Sequence, residues 1–284
     1  MESPQFSYYS YNPTQVGAII FIVLFGILIL WQTFQCVQSY IYILIPFYIG
    51  LFCEFIGFIA RSISHDSIFD RSPFITQTLL ILIGPPFFSA SIYMIFGRMV
   101  TRILHNEEFL LLKAKYITKI CVVGDVISLF LQAIGGIAIS GAEDNIDRFN
   151  MGKNIIIGGL VIQILFFGFF VVVETTYYIK LRMNSDSSDY NLYVLNQDIK
   201  QFPYRFNNWK SILESLFVCS MFILIRSVYR VIEFTEGNGG YISSHEWFIY
   251  VFDGLMMFFC AVLFVSQDVS NYFLKTIPLT LGKH

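Results

Sequence analysis

The sequence predicts an all-α, polytopic membrane protein of seven transmembrane helices, with its N-terminus outside and its C-terminus inside. Three observations carry that prediction. Hydrophobic residues make up 56% of the 284 positions, 31 Phe and 17 Tyr among them, and the mean hydropathy is +0.64. Charged residues make up only 13%, about half the share in an ordinary soluble domain, too few to coat a globule of this apolar content in water. Apolar runs of about 20 residues, the length that crosses a bilayer as a helix, recur seven times. Disorder is excluded by the same figures, since it needs low hydrophobicity and a high net charge. The net charge of −2 leaves no basic surface for nucleic acid.

The spans fall at about 16–32, 42–59, 74–97, 117–140, 154–179, 211–231 and 246–266, within one domain covering 1–284. The polar stretch 180–209, with Asn184-Ser185-Asp186-Ser187-Ser188-Asp189, reads as a cytoplasmic loop. The segment before the first span carries no Lys or Arg, unlike a cleaved signal peptide, so this span is expected to stay as an anchor. On the second span, Glu54 and Arg61 lie two turns apart on one face. The third contains Gly84-Pro85-Pro86 near its middle. Two residues without backbone donors predict a kink or break there, tolerated where it lines a cavity.

Asp125, Ser128 and Gln132 share one side of the fourth span, and Gln163, Phe170, Glu174 and Tyr177 one side of the fifth. Gly135-Gly136 and Gly158-Gly159 predict close helix contacts. The sixth span aligns Arg226, Arg230 and Glu233, and the seventh Glu246, Tyr250, Asp253 and Met257. Arg61-Ser62 and Arg226-Ser227 stand at matching positions of the second and sixth spans. This is either a trace of a parallel repeat or coincidence.

Orientation follows from Lys and Arg. With the N-terminus outside, the inward segments hold twelve of them, and the outward ends hold six: Arg61, Arg71, Arg148, Lys153, Arg226 and Arg230. That orientation places Glu54, Arg61, Arg226, Arg230, Glu233 and Asp253 in the outer half of the membrane, as three cations and three anions. Arg98, Asp125, Gln132 and Glu174 form an inner polar group. A charge inside a bilayer costs at least about 2.5–3.5 kcal/mol, so each should face a partner or a cavity. Two readings stay open for both groups. They are buried ion pairs that fix helix packing, or they line a polar vestibule for the head group of an amphipathic ligand, with Tyr250 beside the outer one.

Several chemistries lack their residues. No Gly-x-x-x-x-Gly-Lys-Ser/Thr loop is present for nucleotide phosphates. His65, His105, His245 and His284 all lie outside the predicted spans, which leaves no set for a membrane zinc hydrolase or a Ser/His/Asp triad. The seventh span has no Lys for a Schiff base. Cys36, Cys53, Cys121, Cys219 and Cys260 lie in spans or at their ends, where they read as small apolar residues. The expectation is a protein that is not an enzyme, with no catalytic residue, cofactor or metal.

The same segments carry a family resemblance. The run from Pro85 to Arg98, PPFFSASIYMIFGR, resembles the third-span signature of the fungal lipid-translocating exporters, or RTA-like proteins. Gly124-Asp125-Val126 with Gln132-Ala133-Ile134-Gly135-Gly136 is similar to that family's fourth span, and Glu54-Phe55-Ile56-Gly57-Phe58 with Arg61 to its second. Arg226-Ser227-Val228-Tyr229-Arg230-Val231-Ile232-Glu233-Phe234, Glu246-Trp247 and Tyr250-Val251-Phe252-Asp253 resemble its sixth and seventh. The resemblance runs from about Tyr11 to Ser266. One departure is Gly254-Leu255-Met256, where relatives often have Pro before Met, so a straighter seventh span is expected. The other is an end at His284 without a long acidic tail.

The resemblance implies resistance to, or movement of, amphipathic molecules: sphingoid long-chain bases, sterol-like toxicants, phospholipid or porphyrins. It also implies a location in the plasma membrane, with endomembrane or vacuole as alternatives. Translocation or export of such a molecule is the leading expectation. The alternative is a seven-helix lipid sensor that signals inward without transport of its own.

Overall fold

The structure, a computed structural model, describes residues 14–39, 44–66, 71–104, 108, 110, 112–141, 145–184, 209–237 and 240–267. Among the described residues, seven helices are long and apolar enough to cross a membrane. They are α1 (Gln15–Ser39), α2 (Ile45–Asp66), α3 (Arg71–Arg98), α4 (Ala114–Ser140), α5 (Ile146–Asn184), α6 (Trp209–Glu236) and α7, which runs Ile249–Ser266. Each occupies its predicted place, and no strand occurs among the described residues. The chain is an integral membrane protein.

All but α7 extend past the predicted apolar segments at one or both ends, because in a bilayer the backbone gains by continuing its own hydrogen bonds. With 39 residues, α5 measures about 58 Å at 1.5 Å per residue, well beyond a hydrocarbon core of about 30 Å. The loop predicted at 180–209 is shortened accordingly, and residues 185–208 lie outside the described residues.

Each helix packs on the next in sequence, α7 returns to α1, and α3 also touches α6. The result is a ring of seven with α3 drawn toward its centre. The most apolar stretch of α3 is 67% buried, against 33% for α1. The lipid-facing surface is apolar, with Val16, Ile20, Val23, Ile27, Leu30 and Phe34 of α1 all exposed. Aromatic rings fill the interior. Phe47 stacks on Phe264 at 4.2 Å, and Phe96 meets Phe170 edge-on at 5.4 Å. Three of the four predicted close glycines are at contact sites. Gly135 lies against the Gly152 carbonyl, Gly136 against Leu79 and Gly159 against the Ser128 carbonyl, while Gly158 faces open space.

Of the kink or break predicted in the third span, the break is absent: α3 is continuous from Arg71 to Arg98 through Gly84-Pro85-Pro86. Proline at 85 cannot donate to the carbonyl of Ile81, four residues back, and that carbonyl instead accepts a hydrogen bond from Arg226 Nη2 of α6. The lost bond is replaced from outside the helix, so α3 passes through. The seventh span changes helix type along its length: Ile249–Leu255 is π-helical, and α-helix follows at Met256–Ser266. A second π-helical piece, Met99–Leu104, extends α3.

Candidate functional site

At the end of the ring where α6 finishes and α7 starts, charges from three helices converge. Arg226 and Arg230 are one turn apart on α6 and present their guanidinium groups on one face. Both point at Asp253 in the π-helical turn. Arg226 Nε donates to Asp253 Oδ1, and Arg230 Nη2 donates to Asp253 Oδ2, so each carboxylate oxygen serves one arginine. Arg226 and Asp253 are fully buried and Arg230 is 3% exposed. Arg230 Nη1 also donates to Glu233 Oε2 at 2.8 Å, on the more open side.

A second unit is built by α2, α7, the turn before α7 that holds Glu246, and the residue preceding α1. Arg61 Nη2 pairs with Glu246 Oε1 at 2.8 Å, and its Nε donates to the Tyr250 hydroxyl oxygen at 3.2 Å. Its guanidinium carbon stands 5.1 Å from the centre of the Tyr250 ring, close enough for a cation–π contribution. The backbone N–H of Thr14 donates to the Glu246 carboxylate at 2.8 Å, as does the Thr14 hydroxyl. Tyr250 stacks at 5.7 Å on Phe21 of α1, which stacks at 4.8 Å on Phe58 of α2. π-Helical turns recur at functional sites. Here the turn holds Tyr250 and Asp253 three residues apart and delivers one to Arg61 and the other to the α6 arginines.

Glu54 differs from the rest. It is fully buried, and neither carboxylate oxygen meets a hydrogen-bond donor among the described residues. It faces α3 at Gly84, where an added Cβ would fall 2.6 Å from Oε1. Only a residue without a side chain admits the carboxylate so close. The charges acting on it are Asp253, Arg226 and Arg230.

Beside the ion pairs lies a cavity of about 130 Å³ lined by both charged and apolar groups. Arg61, Arg230 and Glu233 reach it from the ion-pair network, and Lys153, Gln77, Ser243 and His245 add polar groups. Phe74, Phe149, Tyr229 and Phe234 supply aromatic wall. Gly237 closes α6 beside Lys153 with φ of +76°, a left-handed conformation that favours glycine.

The outer group named from the sequence is thus divided. Arg61, Arg230 and Glu233 line the cavity, whereas Glu54, Arg226, Asp253 and Tyr250 lie behind that lining. The inner residues fall into separate local sets. Asp125 accepts a 2.6 Å hydrogen bond from Ser89 of α3. Gln132 joins Ser128 and Gln163, both at 2.9 Å, tying α4 to α5. Glu174 of α5 is fully buried, and neither of its carboxylate oxygens meets a hydrogen-bond donor among the described residues; Arg98 ends α3, half-buried. Among the described residues no group of three or more His, Cys, Asp or Glu is placed to hold a metal ion.

Sequence reasoning left Glu246, Lys153, Gln77, His245 and Thr14 out of the site. The helical spacing of Glu246 and Tyr250 was the available signal for the first. For the others there was none, because they meet the site only through long-range packing.

A family model described as RTA1 like protein matches residues 47–276, from Glu54 through Asp253 and beyond. The chain belongs to the RTA1-like family. It is 39% identical over 221 residues to Protein RTA1 of Saccharomyces cerevisiae, covering 78% of this chain and 64% of RTA1. The chain therefore spans less than two thirds of that relative's length. It is 31% identical to Protoporphyrin uptake protein 1 of the same yeast, over 94% of both chains. It is 27% identical to the Sphingoid long-chain base transporter RSB1, covering 93% of this chain and 74% of RSB1. No solved structure matches.

Proposed function

We propose that this protein translocates amphipathic, lipid-like molecules across a membrane, with the charged end of the ring receiving the polar head group. The observation that carries this reading is the cluster of Arg226, Asp253, Arg230, Glu233 and Glu54 at membrane depth beside an amphipathic cavity. Charges so costly in a bilayer commonly mark a substrate pathway, and the cavity offers ionic groups on one side and rings on the other. Family members named for a sphingoid base and for protoporphyrin support an amphipathic substrate class. The carboxylates suit a cationic amine, and the arginines suit a carboxylate or phosphate.

The distribution of Lys and Arg supports placing this end of the ring outside, and the family resemblance supports a plasma-membrane location. The reading is of a carrier and not of an enzyme. It is tested in liposomes containing the purified protein, by following a fluorescent sphingoid base and a labelled phospholipid across the bilayer. A rate above that of empty liposomes is expected for at least one. No such rate, with a cytoplasmic partner recovered from intact membranes, favours the sensor. A chemically altered product by mass spectrometry favours an enzyme.

A further inference from the structure

The ion pairs leave one charge over. Arg61 is matched by Glu246, and Arg226 and Arg230 together are matched by Asp253 and Glu233. The sequence alone suggested three cations against three anions, but the turn before α7 brings Glu246 as a fourth anion, and among the described residues Glu54 is the member of this cluster without an ion-pair match. Among the described residues its surroundings contain no other charge to neutralise it. The helix α1 has no charged residue, and α3 has none between Arg71 and Arg98. From α6 the charges that act on it are Arg226 and Arg230, both engaged by Asp253, and from α7 Asp253 itself. On its own helix its titratable neighbour is Cys53. Lys153 lines the cavity beside Gly237, whereas Glu54 is not among the lining residues.

An ionised carboxylate fully buried with no hydrogen bond is among the most costly states in a protein. A neutral one at the same place leaves the whole cluster with zero net charge. The cluster is equally neutral if a cation replaces the proton, and carries one negative charge if neither is present. We propose that Glu54 is a proton-carrying site at which a proton and the cationic head of an amphiphile alternate, so that each drives the other across in exchange. Gly84 is what makes room for that carboxyl group beside α3. The coupling rests on the transporter reading above; the proton site does not.

Two measurements separate them. Infrared absorption of the purified full chain in lipid nanodiscs is recorded at neutral pH for the wild type and Glu54→Gln. A band of a protonated carboxylic acid, present in the wild type and missing in the variant, is expected. Loss of an ionised carboxylate band instead overturns the proton site. If Glu54→Gln does not assemble, Glu54→Asp serves, since it should shift the same acid band; an unshifted band overturns the assignment.

In liposomes with a gradient of one pH unit, exchange of one proton for one cation supports at most about tenfold accumulation of a fluorescent sphingoid base. Wild type is expected to accumulate the probe and Glu54→Gln to bring the ratio to one. Equal accumulation by both, or equilibration by wild type that ignores the gradient, overturns the coupling. A wild type that carries neither this probe nor the labelled phospholipid overturns the transporter reading, one that carries only the phospholipid overturns the coupling, and in both cases the infrared result decides the proton site by itself.

Discussion

Asp253 answers for two arginines at once, which makes it the residue whose loss should be felt most. Removing one member of a buried ion pair typically costs about 3–5 kcal/mol, because the remaining charge stays buried and unmatched. Asp253→Ala leaves Arg226 in that position and Arg230 with Glu233 alone, and the loss of stability against unfolding in detergent should fall within that range. Asp253→Asn keeps the acceptor oxygen and should be milder in stability while still abolishing transport. Arg226→Gln should behave likewise, and equal loss of folded protein in both variants would leave packing as the sole role of the cluster. At Gly84 the contact is steric. Gly84→Ala should destabilise by about 1–3 kcal/mol, the usual cost of overpacking. Much of that cost should vanish in combination with Glu54→Ala, a non-additivity that a double-mutant cycle reads directly.

The prolines of α3 and the π-helical turn of α7 are where local rules and tertiary structure part company. Pro85 was legible as a missing donor at mid-membrane. That Arg226 would come to the Ile81 carbonyl was not, since the partner lies 145 residues away and no periodicity links them. Pro85→Ala returns the helix its own donor for that carbonyl and improves helix propensity by up to about 3 kcal/mol. The variant should be at least as stable as wild type, yet slower in transport, because Arg226 loses one of its two anchors. Unchanged transport would show that the anchor has no part in function. The turn Ile249–Leu255 left no mark in the sequence, because Tyr250 and Asp253 also share a face in an ordinary α-helix. Only the packing of two different partners onto them distinguishes the two geometries.

For the molecule as a whole, class, number of spans and their order were readable from apolar run lengths, which depend on nothing but the bilayer. Closure of the ring was not, because it depends on which faces meet. The charges behaved similarly. Glu54, Arg61, Arg226, Arg230 and Asp253 stood out by type and depth, whereas Glu246 as the match of Arg61 required α7 to lie beside α2. The predicted orientation has a simple check: an epitope tag added at the N-terminus should be reached by antibody on intact cells, and one at the C-terminus only after permeabilisation. The ring also has a consequence for how the chain is made. Both carboxylates that satisfy its buried arginines across helices, Glu246 and Asp253, arrive with the last span. During synthesis, Arg61 of the second span and the arginines of the sixth enter the bilayer before those carboxylates exist, each at a cost of at least about 2.5–3.5 kcal/mol. The nascent protein must therefore be sheltered, by the insertion machinery or an escort, until its final helix emerges. A chain cut after α6 should be held back and degraded in the endoplasmic reticulum, and the seventh span supplied as a separate piece should rescue it.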